Sequence, residues 1–600
     1  MRIEELLSEK ASKALKQLYN TDIPDTQIQV QETKKDFEGD KTIVVFPFLK
    51  HSKKNPEQTA RELGNIMIEE ENVKDFNVVK GFLNLKISDK YWINYLNSLV
   101  DEEKTDIPIT DDPKTIIVEY SSPNTNKPLH LGHLRNNFLG YSLSTILKEN
   151  GHNVKKVQII NDRGIHICKS MVAWKKFGQG QTPDSLGIKG DKWVGDLYVK
   201  FDEKNKEQAN ELIKQGMNKE EAKEKTELMK EAREMLINWE NGDKETVDLW
   251  EKMNNWVYEG FDATYERMGV DFDKLYYESQ TYLKGREVVL RSLEKESSPF
   301  YKKEDGSIWC DLKEDGWDDK LLLRKDGTAV YMTQDIGTAI LRYEDEPDLN
   351  QLIYTVGNEQ DHHFKVLFTI LEKLGYEWAK NCYHLSYGMV DLPTGKMKSR
   401  EGTVIDADDM LDEMYQKAKD QTENSDKIKE LLEEETEQLN EMIGKAALKY
   451  FLLKVDAKKN ITFNPEESVD MNGNTGPFLQ YTHARICSVL RKYENFKAES
   501  DKIESSIIEN NEITSKAARY VIIKLHEFSD KYYTSIKNYD PSEIAHYLHD
   551  LAKTYNHFYQ TVPILKENAI DQPETRLYID ICKQTAATIK EGCRLLGIEV

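Results

Sequence analysis

The stretch VEYSSPNTNKPLHLGHLRN, Val118 to Asn136, decides how the chain is read. It overlaps TIIVEY (Thr115 to Tyr120), a short β-branched run with the composition of a buried strand, and Pro123 and Pro128 punctuate it as a turn into a helix. A strand feeding a helix N-terminus is an anion site, because the first backbone N–H groups lack partners and lie at the positive end of the helix dipole. His130 and His133 stand one helical turn apart at that mouth, with Gly132 between them. Two imidazoles at i and i+3 share a helical face where they can donate to phosphate oxygens, and the glycine lets an adenine ring or phosphate approach the backbone. A nucleotide phosphate is the guest this turn suits. A zinc reading would need a third ligand and a base, and HLGH lacks the HExxH pattern, so no metal ligand is assigned.

Outward from this turn, strands alternate with helices from Lys114 to about Val404, including VKKVQIIND (Val154 to Asp162), NQLIYTVGN (Asn350 to Asn358) and CYHLSYGMV (Cys382 to Val390). That alternation predicts an α/β fold, a doubly wound parallel sheet of Rossmann type. Residues 1–105 read as a small α+β module with a charged helix, a strand at Thr42 to Phe48, a helix from Pro56 and a strand at Gly81 to Ile87. The Rossmann-type domain is expected over 106–405, with a helical insertion around 169–275 whose Lys/Glu-rich core, Phe201 to Trp239, is a solvated insertion rather than a nucleic-acid arm. A helical connecting segment, 406–465, and an all-α bundle, 466–600, complete the chain. In that bundle Asp540, Pro541 and Glu543 predict an N-cap, first turn and capping box. The stripe Ile544, Tyr547, Leu548, Leu551, Tyr555 and Phe558 then reads as core.

The composition excludes other classes. No apolar run reaches the roughly 18 residues of a spanning helix, and the N-terminal MRIEELLSEK lacks a signal-peptide core, which predicts a cytoplasmic protein without membrane association. The six cysteines form no CxxC pair and are expected reduced, so no protein-bound zinc is expected. The net charge of −23 argues against a nucleic-acid partner only as a global sum. Lys445, Lys449, Lys454, Lys458 and Lys459 form a local basic cluster, for which a solvated helix face is the blander reading.

The second site signal is GKMKSREGT, Gly395 to Thr403, a glycine-flanked loop carrying Lys396, Lys398 and Arg400. Late in a doubly wound domain, such a loop can bring cations to a triphosphate as charge shifts toward the leaving pyrophosphate. The two segments together resemble the HIGH and KMSKS signatures of class I aminoacyl-tRNA synthetases. The order of SSPNTNKPLHLGHLRNN, NDRGIHICKS (Asn161 to Ser170), DGTAVYMTQDI (Asp326 to Ile336), VGNEQDHHF (Val356 to Phe364), MKSREGTVI and GPFLQYTHARICSVL (Gly476 to Leu490) is most similar to the arginyl-tRNA synthetases, over nearly the whole chain.

That resemblance implies two steps: arginine and ATP form arginyl-adenylate and pyrophosphate, and the arginyl group then passes to tRNA(Arg). ATP with Mg2+, L-arginine and tRNA(Arg) are the implied partners, tRNA is implied to be needed before arginine is activated, and a monomer is the family-level expectation. Arginine demands carboxylates for its guanidinium, and the resemblance places Glu119, Asn124, Tyr331, Asp335 and Gln360 around the amino acid. Tyr331 and Asp335 would share a helix face. It places Pro128, His130, Gly132 and His133 at ATP, with Lys396, Met397, Lys398, Ser399 and Arg400 on the pyrophosphate side. Aligning Lys396 and Met397 with the start of KMSKS puts Ser399 on its second lysine, a loss for which Lys127 is implied to compensate. The C-terminal helices are implied to bind the anticodon, with Tyr481, His483 and Arg485 as RNA contacts, and the N-terminal module to touch the outer corner of the tRNA. The rival readings are a glutaminyl or cysteinyl synthetase, a small-molecule adenylyltransferase and an inactive tRNA-binding paralogue.

Overall fold

The structure is a computed structural model that describes residues 2–34, 36–102, 104–393, 405–423, 432–499, 512–565 and 572–600. Contacts group the chain into two units: residues 107–483, 528–550 and 589–600 make one, and residues 1–106, 484–527 and 551–588 the other.

The first unit is built on a five-stranded sheet. Strand β1 (Thr115–Glu119) leads to helix α1 (Leu131–Glu149) and β2 (Asn153–Ile160), and after a long helical stretch come β3 (Lys274–Tyr277) and α2 (Glu278–Leu293). Helix α3 (Tyr331–Asp345), β4 (Leu349–Gly357), α4 (Asp361–Lys373) and β5 (Cys382–Tyr387) follow. The spatial order is 3-2-1-4-5 and every pairing is parallel, with Glu119 opposite Val157 on β2 and Tyr354 on β4. This is the predicted doubly wound sheet. The strand order reverses between β1 and β4, and ligands of such sheets bind outside the carboxyl ends at that reversal.

Helix α1 departs from an ordinary amphipathic helix. Its buried face carries Arg135, Asn136 and Asn137 as well as Leu131, Leu134, Phe138 and Leu139, and Arg135 and Asn136 are tied to neighbouring segments. Asn136 donates to the Thr355 carbonyl on β4 at 2.6 Å, and its side-chain oxygen accepts the Ser121 N–H. Arg135 donates to the carbonyls of Gly388, Lys459 (2.8 Å) and Asp456 (3.2 Å). That anchorage splits the expected strand Cys382 to Val390: β5 ends at Tyr387, and Val390–Asp391 pairs instead with Ile461–Thr462, in parallel. The sequence offers no strand signal after Ile405, so this two-residue partner is a correction. A second is the antiparallel sheet of Phe300–Lys302, Ile308–Cys310 and Lys320–Leu323, inserted before α3.

Between α1 and β3 lie the helices Gly190–Lys214, Lys219–Glu224, Glu227–Glu240 and Lys244–Met268. The basic cluster is structural in part. Lys449 is buried and its ammonium donates to the Gly597 carbonyl, burial pulling its pKa down to about 8, while Lys454 donates to the Asn474 carbonyl at 2.9 Å.

The second unit contains a four-stranded antiparallel sheet in the order Val30–Glu32, Lys41–Val44, Phe82–Ile87, Val73–Val79. The strand expected to reach Phe48 stops at Val44, because Pro47 has no N–H for a ladder and Phe46–Phe48 turns as a 3-10 helix. Arg519, on the helix Lys516–His526, donates to both oxygens of Asp40 (2.7 and 2.6 Å) and to Asp89 at 3.0 Å. The N-terminal module and this late helix therefore share one unit. The stripe Ile544 to Phe558 is buried at all six positions, and Asp540 accepts the Ser542 N–H at 3.0 Å, while Glu543 pairs with Lys531. All six cysteines are free. No helix among the described residues is long and apolar enough to cross a membrane.

Candidate active site

The turn between β1 and α1 is held under local strain. Ser121 adopts φ 56°, and a network offsets that cost: its hydroxyl bonds the buried Tyr265 hydroxyl at 2.7 Å. His130 is the N-cap of α1 with an extended backbone, one residue before the helix instead of on its face as expected. Its Nδ1 accepts the Gly132 N–H at 3.1 Å, and the Nδ1 of His133 accepts the His130 N–H at 3.1 Å. The two histidines thus close a reciprocal capping box.

This local chemistry sets the tautomers. A ring nitrogen that accepts cannot carry a proton, so the proton of each neutral ring sits on Nε2, which is left as a donor. Burial and the neighbouring Lys127 charge pull the His130 pKa down to about 3, and burial holds His133 well below its ordinary value. The rings lie 3.9 Å apart, an approach suited to two uncharged imidazoles. Gly132 serves this packing: a Cβ there would meet the His130 ring at 3.0 Å. Lys127 is half-buried, burial lowers its pKa, and among the described residues no ion pair faces it. A partly desolvated cation beside two imidazole donors and a helix N-terminus is chemically a receptor for phosphate.

The carboxyl ends of the strands carry acids. Glu119 ends β1 as predicted and is buried, but its carboxylate is already engaged: it is ion-paired with Arg342 of α3 and accepts from the Ser122 hydroxyl at 3.2 Å. Arg342 is fully buried between the rings of Tyr276 and Tyr354, 5.2 and 5.4 Å from their centroids. Tyr331 and Asp335 lie one turn apart on α3, as expected, with Tyr331 72% exposed and Asp335 half-buried. Asp335 shares a hydrogen bond of 2.6 Å with His363 of α4. Asn124 and Gln360 are exposed on the turns that follow β1 and β4.

Sequence reasoning missed one acid. Glu278, the first residue of α2, is 7% exposed, and burial together with the charges of Asp162 and Asp335 pushes its pKa up to about 7. Two helices bring it within the field of Asp335 by an unusually close crossing. A Cβ on Gly285 would fall 1.9 Å from the Thr333 carbonyl oxygen, and one on Gly337 would fall 2.3 Å from the Gly285 nitrogen. The signal was present as an acid directly after a strand, the same position that singled out Glu119, but β3 is short and was not read as a strand. Burial, Asp162 and Asp335 together outweigh the opposing charge of Arg163 on Glu278, so this end of the sheet suits a further cation.

Lys396, Met397, Lys398, Ser399 and Arg400 lie outside the described residues. Their described flanks meet α1: Gly388 is held by Arg135, the Leu131 N–H donates to the Ile405 carbonyl at 3.3 Å, and the Ala407 N–H donates to the Leu129 carbonyl at 2.9 Å. Tyr481, His483 and Arg485 lie on the helix Gly476–Glu499. Tyr481 is 50% exposed, burial lowers the His483 pKa, and Arg485 donates to Asn556 and lies 5.1 Å over the Tyr559 ring.

Comparison with known proteins agrees with this geometry. Residues 95–464 match the family model described as tRNA synthetases class I (R), catalytic domain. Residues 479–600 match the DALR anticodon binding domain, and residues 4–87 the arginyl tRNA synthetase N terminal domain. Fold and site together define a class I aminoacyl-tRNA synthetase. An arginine–tRNA ligase of Parabacteroides distasonis is 52% identical over 602 residues, and one of Bacteroides fragilis 53% over 603, each alignment covering all of this chain and 99% of the relative. The Thermus thermophilus arginyl-tRNA synthetase structure shares the fold at a TM-score of 0.77 and 22% identity, over 100% of this chain and 99% of that one. The chain belongs to the arginyl-tRNA synthetase family and is an arginine–tRNA ligase that uses ATP.

Proposed function

We propose that the two ends of the strand reversal divide the reaction between them, ATP at the mouth of α1 and arginine among the acids. The observation that carries this division is the contrast in charge: neutral imidazole donors with Lys127 at one end, Asp335 with the buried Glu278 at the other. The Nε2–H groups of His130 and His133 and the Lys127 ammonium hold phosphate oxygens of ATP, which enters as its magnesium complex. Pro128 and Gly132 shape the backbone there, and Lys396, Met397, Lys398, Ser399 and Arg400 attend the pyrophosphate.

Asp335 and Glu278 receive the guanidinium, bordered by Tyr331 and Gln360. Glu119, its charge shared with Arg342, and Asn124 offer acceptors to the α-ammonium. A carboxylate oxygen of arginine attacks the α-phosphorus, and the bond to pyrophosphate breaks. A hydroxyl of the terminal adenosine of tRNA(Arg) then attacks the adenylate carbonyl and AMP leaves. No protein nucleophile is required, so alignment and cation placement supply the rate.

The helices of 466–600 take the anticodon side, with Tyr481, His483 and Arg485 as RNA contacts, and residues 1–105 touch the tRNA elsewhere. The enzyme acts as a cytoplasmic monomer, the state that its family resemblance implies. Pyrophosphate exchange in the presence of total tRNA, run across all amino acids, tests the reading: exchange with arginine alone supports it, and exchange with another amino acid or without tRNA contradicts the corresponding part.

A further inference from the structure

We propose that Asp162 is a positioning residue for arginine recognition, holding Glu278 at the pocket through its bonds to Ser279. The inference rests on the assignment of Glu278 to the guanidinium.

Asp162 follows the end of β2 and is 1% exposed. One carboxylate oxygen accepts the Ser279 N–H at 2.8 Å, and the other accepts the Ser279 hydroxyl at 2.7 Å and the Tyr258 hydroxyl at 3.2 Å. Its own backbone is fixed as well, because the Asp162 carbonyl accepts from Trp250 Nε1 at 2.6 Å and Asn254 Nδ2 at 3.2 Å. Asp162 is therefore a rigid bidentate clamp on the residue next to Glu278.

Capping alone does not account for it. Helix α2 starts without a side-chain cap of its own, since Tyr277 occupies the cap position, and a serine or threonine there would satisfy the first N–H groups without a charge. The chain instead uses a buried acid from the segment after β2, whose charge together with that of Asp335 opposes ionisation of Glu278. Two buried carboxylates in mutual range are unfavourable in the empty pocket and become favourable once a guanidinium enters. Arg163, whose charge favours the ionised form of Glu278, is itself stacked on Tyr282 with its carbon 3.9 Å from the ring centroid and paired with Glu240 at 2.9 Å. Gln334 hydrogen-bonds Glu278 from α3. The acid is thus fixed through Ser279 by the segment after β2 and directly from α3.

The test is steady-state pyrophosphate exchange by the full chain with tRNA(Arg), varying arginine and ATP separately, for D162N, S279A, E278Q and D162N/E278Q. D162N is expected to raise the arginine KM about tenfold while the ATP KM moves less than about twofold, as for loss of a charged hydrogen bond acting at one end of the site. S279A, which keeps the backbone bond, is expected to shift the arginine KM in the same direction by less. D162N should add little on the E278Q background, because the two act through one contact. Equal shifts in both KM values, no shift, or full additivity with E278Q would overturn the proposal. If D162N does not fold, the S279A arginine KM decides. An unmoved arginine KM in E278Q would remove the guanidinium assignment and this proposal with it, whereas a raised KM in E278Q with none in D162N and S279A would remove only the role of Asp162.

Discussion

The histidine mouth of α1 and the acid pocket of α2 and α3 lie at the same edge of one sheet but are built in opposite ways. At the mouth, each contact that sets the chemistry runs between residues within a few positions: His130 caps Gly132, and His133 caps His130. In the pocket, the contacts join distant segments: Glu119 to Arg342, Asp335 to His363, Asp162 to Ser279. The first is a local backbone device, rigid wherever the helix forms. The second depends on how helices pack, so its acids hold their places only while the Gly285–Gly337 crossing keeps its close fit.

The sharpest way to break this comparison is to remove one acid. D335A is expected to raise the arginine requirement by about 10²- to 10³-fold, since it strips the guanidinium of a partner and frees His363, with the ATP KM little changed. Full activity at ordinary arginine concentration would end the pocket reading. At the other end, K127A is expected to cut the rate of adenylate formation by about 10²-fold while arginine binding holds, the pattern of a cation acting on developing phosphate charge. Unchanged exchange rates would remove Lys127 from the mechanism.

Acidity separates the ends further. Because the Glu278 pKa lies at about 7, above the ordinary carboxylate value, arginine must displace a proton below that point. The arginine KM should therefore rise by about tenfold between about pH 8 and about pH 6 while the ATP histidines, already neutral, add no step of their own there. A flat arginine KM over that interval, with E278Q for reference, would remove Glu278 from the titration. The smallest effect is expected from G285A: a Cβ against the Thr333 carbonyl costs about 1–3 kcal/mol in forced repacking. It should lower the thermal midpoint and raise the arginine KM a few-fold, and an unchanged midpoint would show that the crossing accommodates a Cβ without cost.

The same contrast explains what could be read in the chain. TIIVEY, the proline-punctuated turn and HLGH announce themselves because strand, turn and cap signals are properties of adjacent residues, and they placed β1, α1 and the two histidines at its mouth. Glu119 was legible as an acid ending a strand, yet its engagement with Arg342 was not, because α3 had first to be laid against β1. Glu278 escaped because β3 is four residues long, too short for a period to show. Asp162 stood inside a motif already noted, without a partner that proximity in sequence could supply. The basic run around Lys449 misled in the other direction, since charge in a sequence does not report that an ammonium is buried on a carbonyl.

By itself the sequence determined the alternation that winds a parallel sheet, the cap that orients the histidines and the family to which the chain belongs. Those are consequences of backbone hydrogen bonding and of short-range side-chain chemistry, which act between near neighbours. Only the tertiary structure decided which acids are buried within one another's field, because a carboxylate's charge, proton and reach depend on what is buried beside it. Here that means the pairing of Glu119 with Arg342, the exposure of Glu278 to the fields of Asp162 and Asp335, and the glycine crossing that sets α2 against α3.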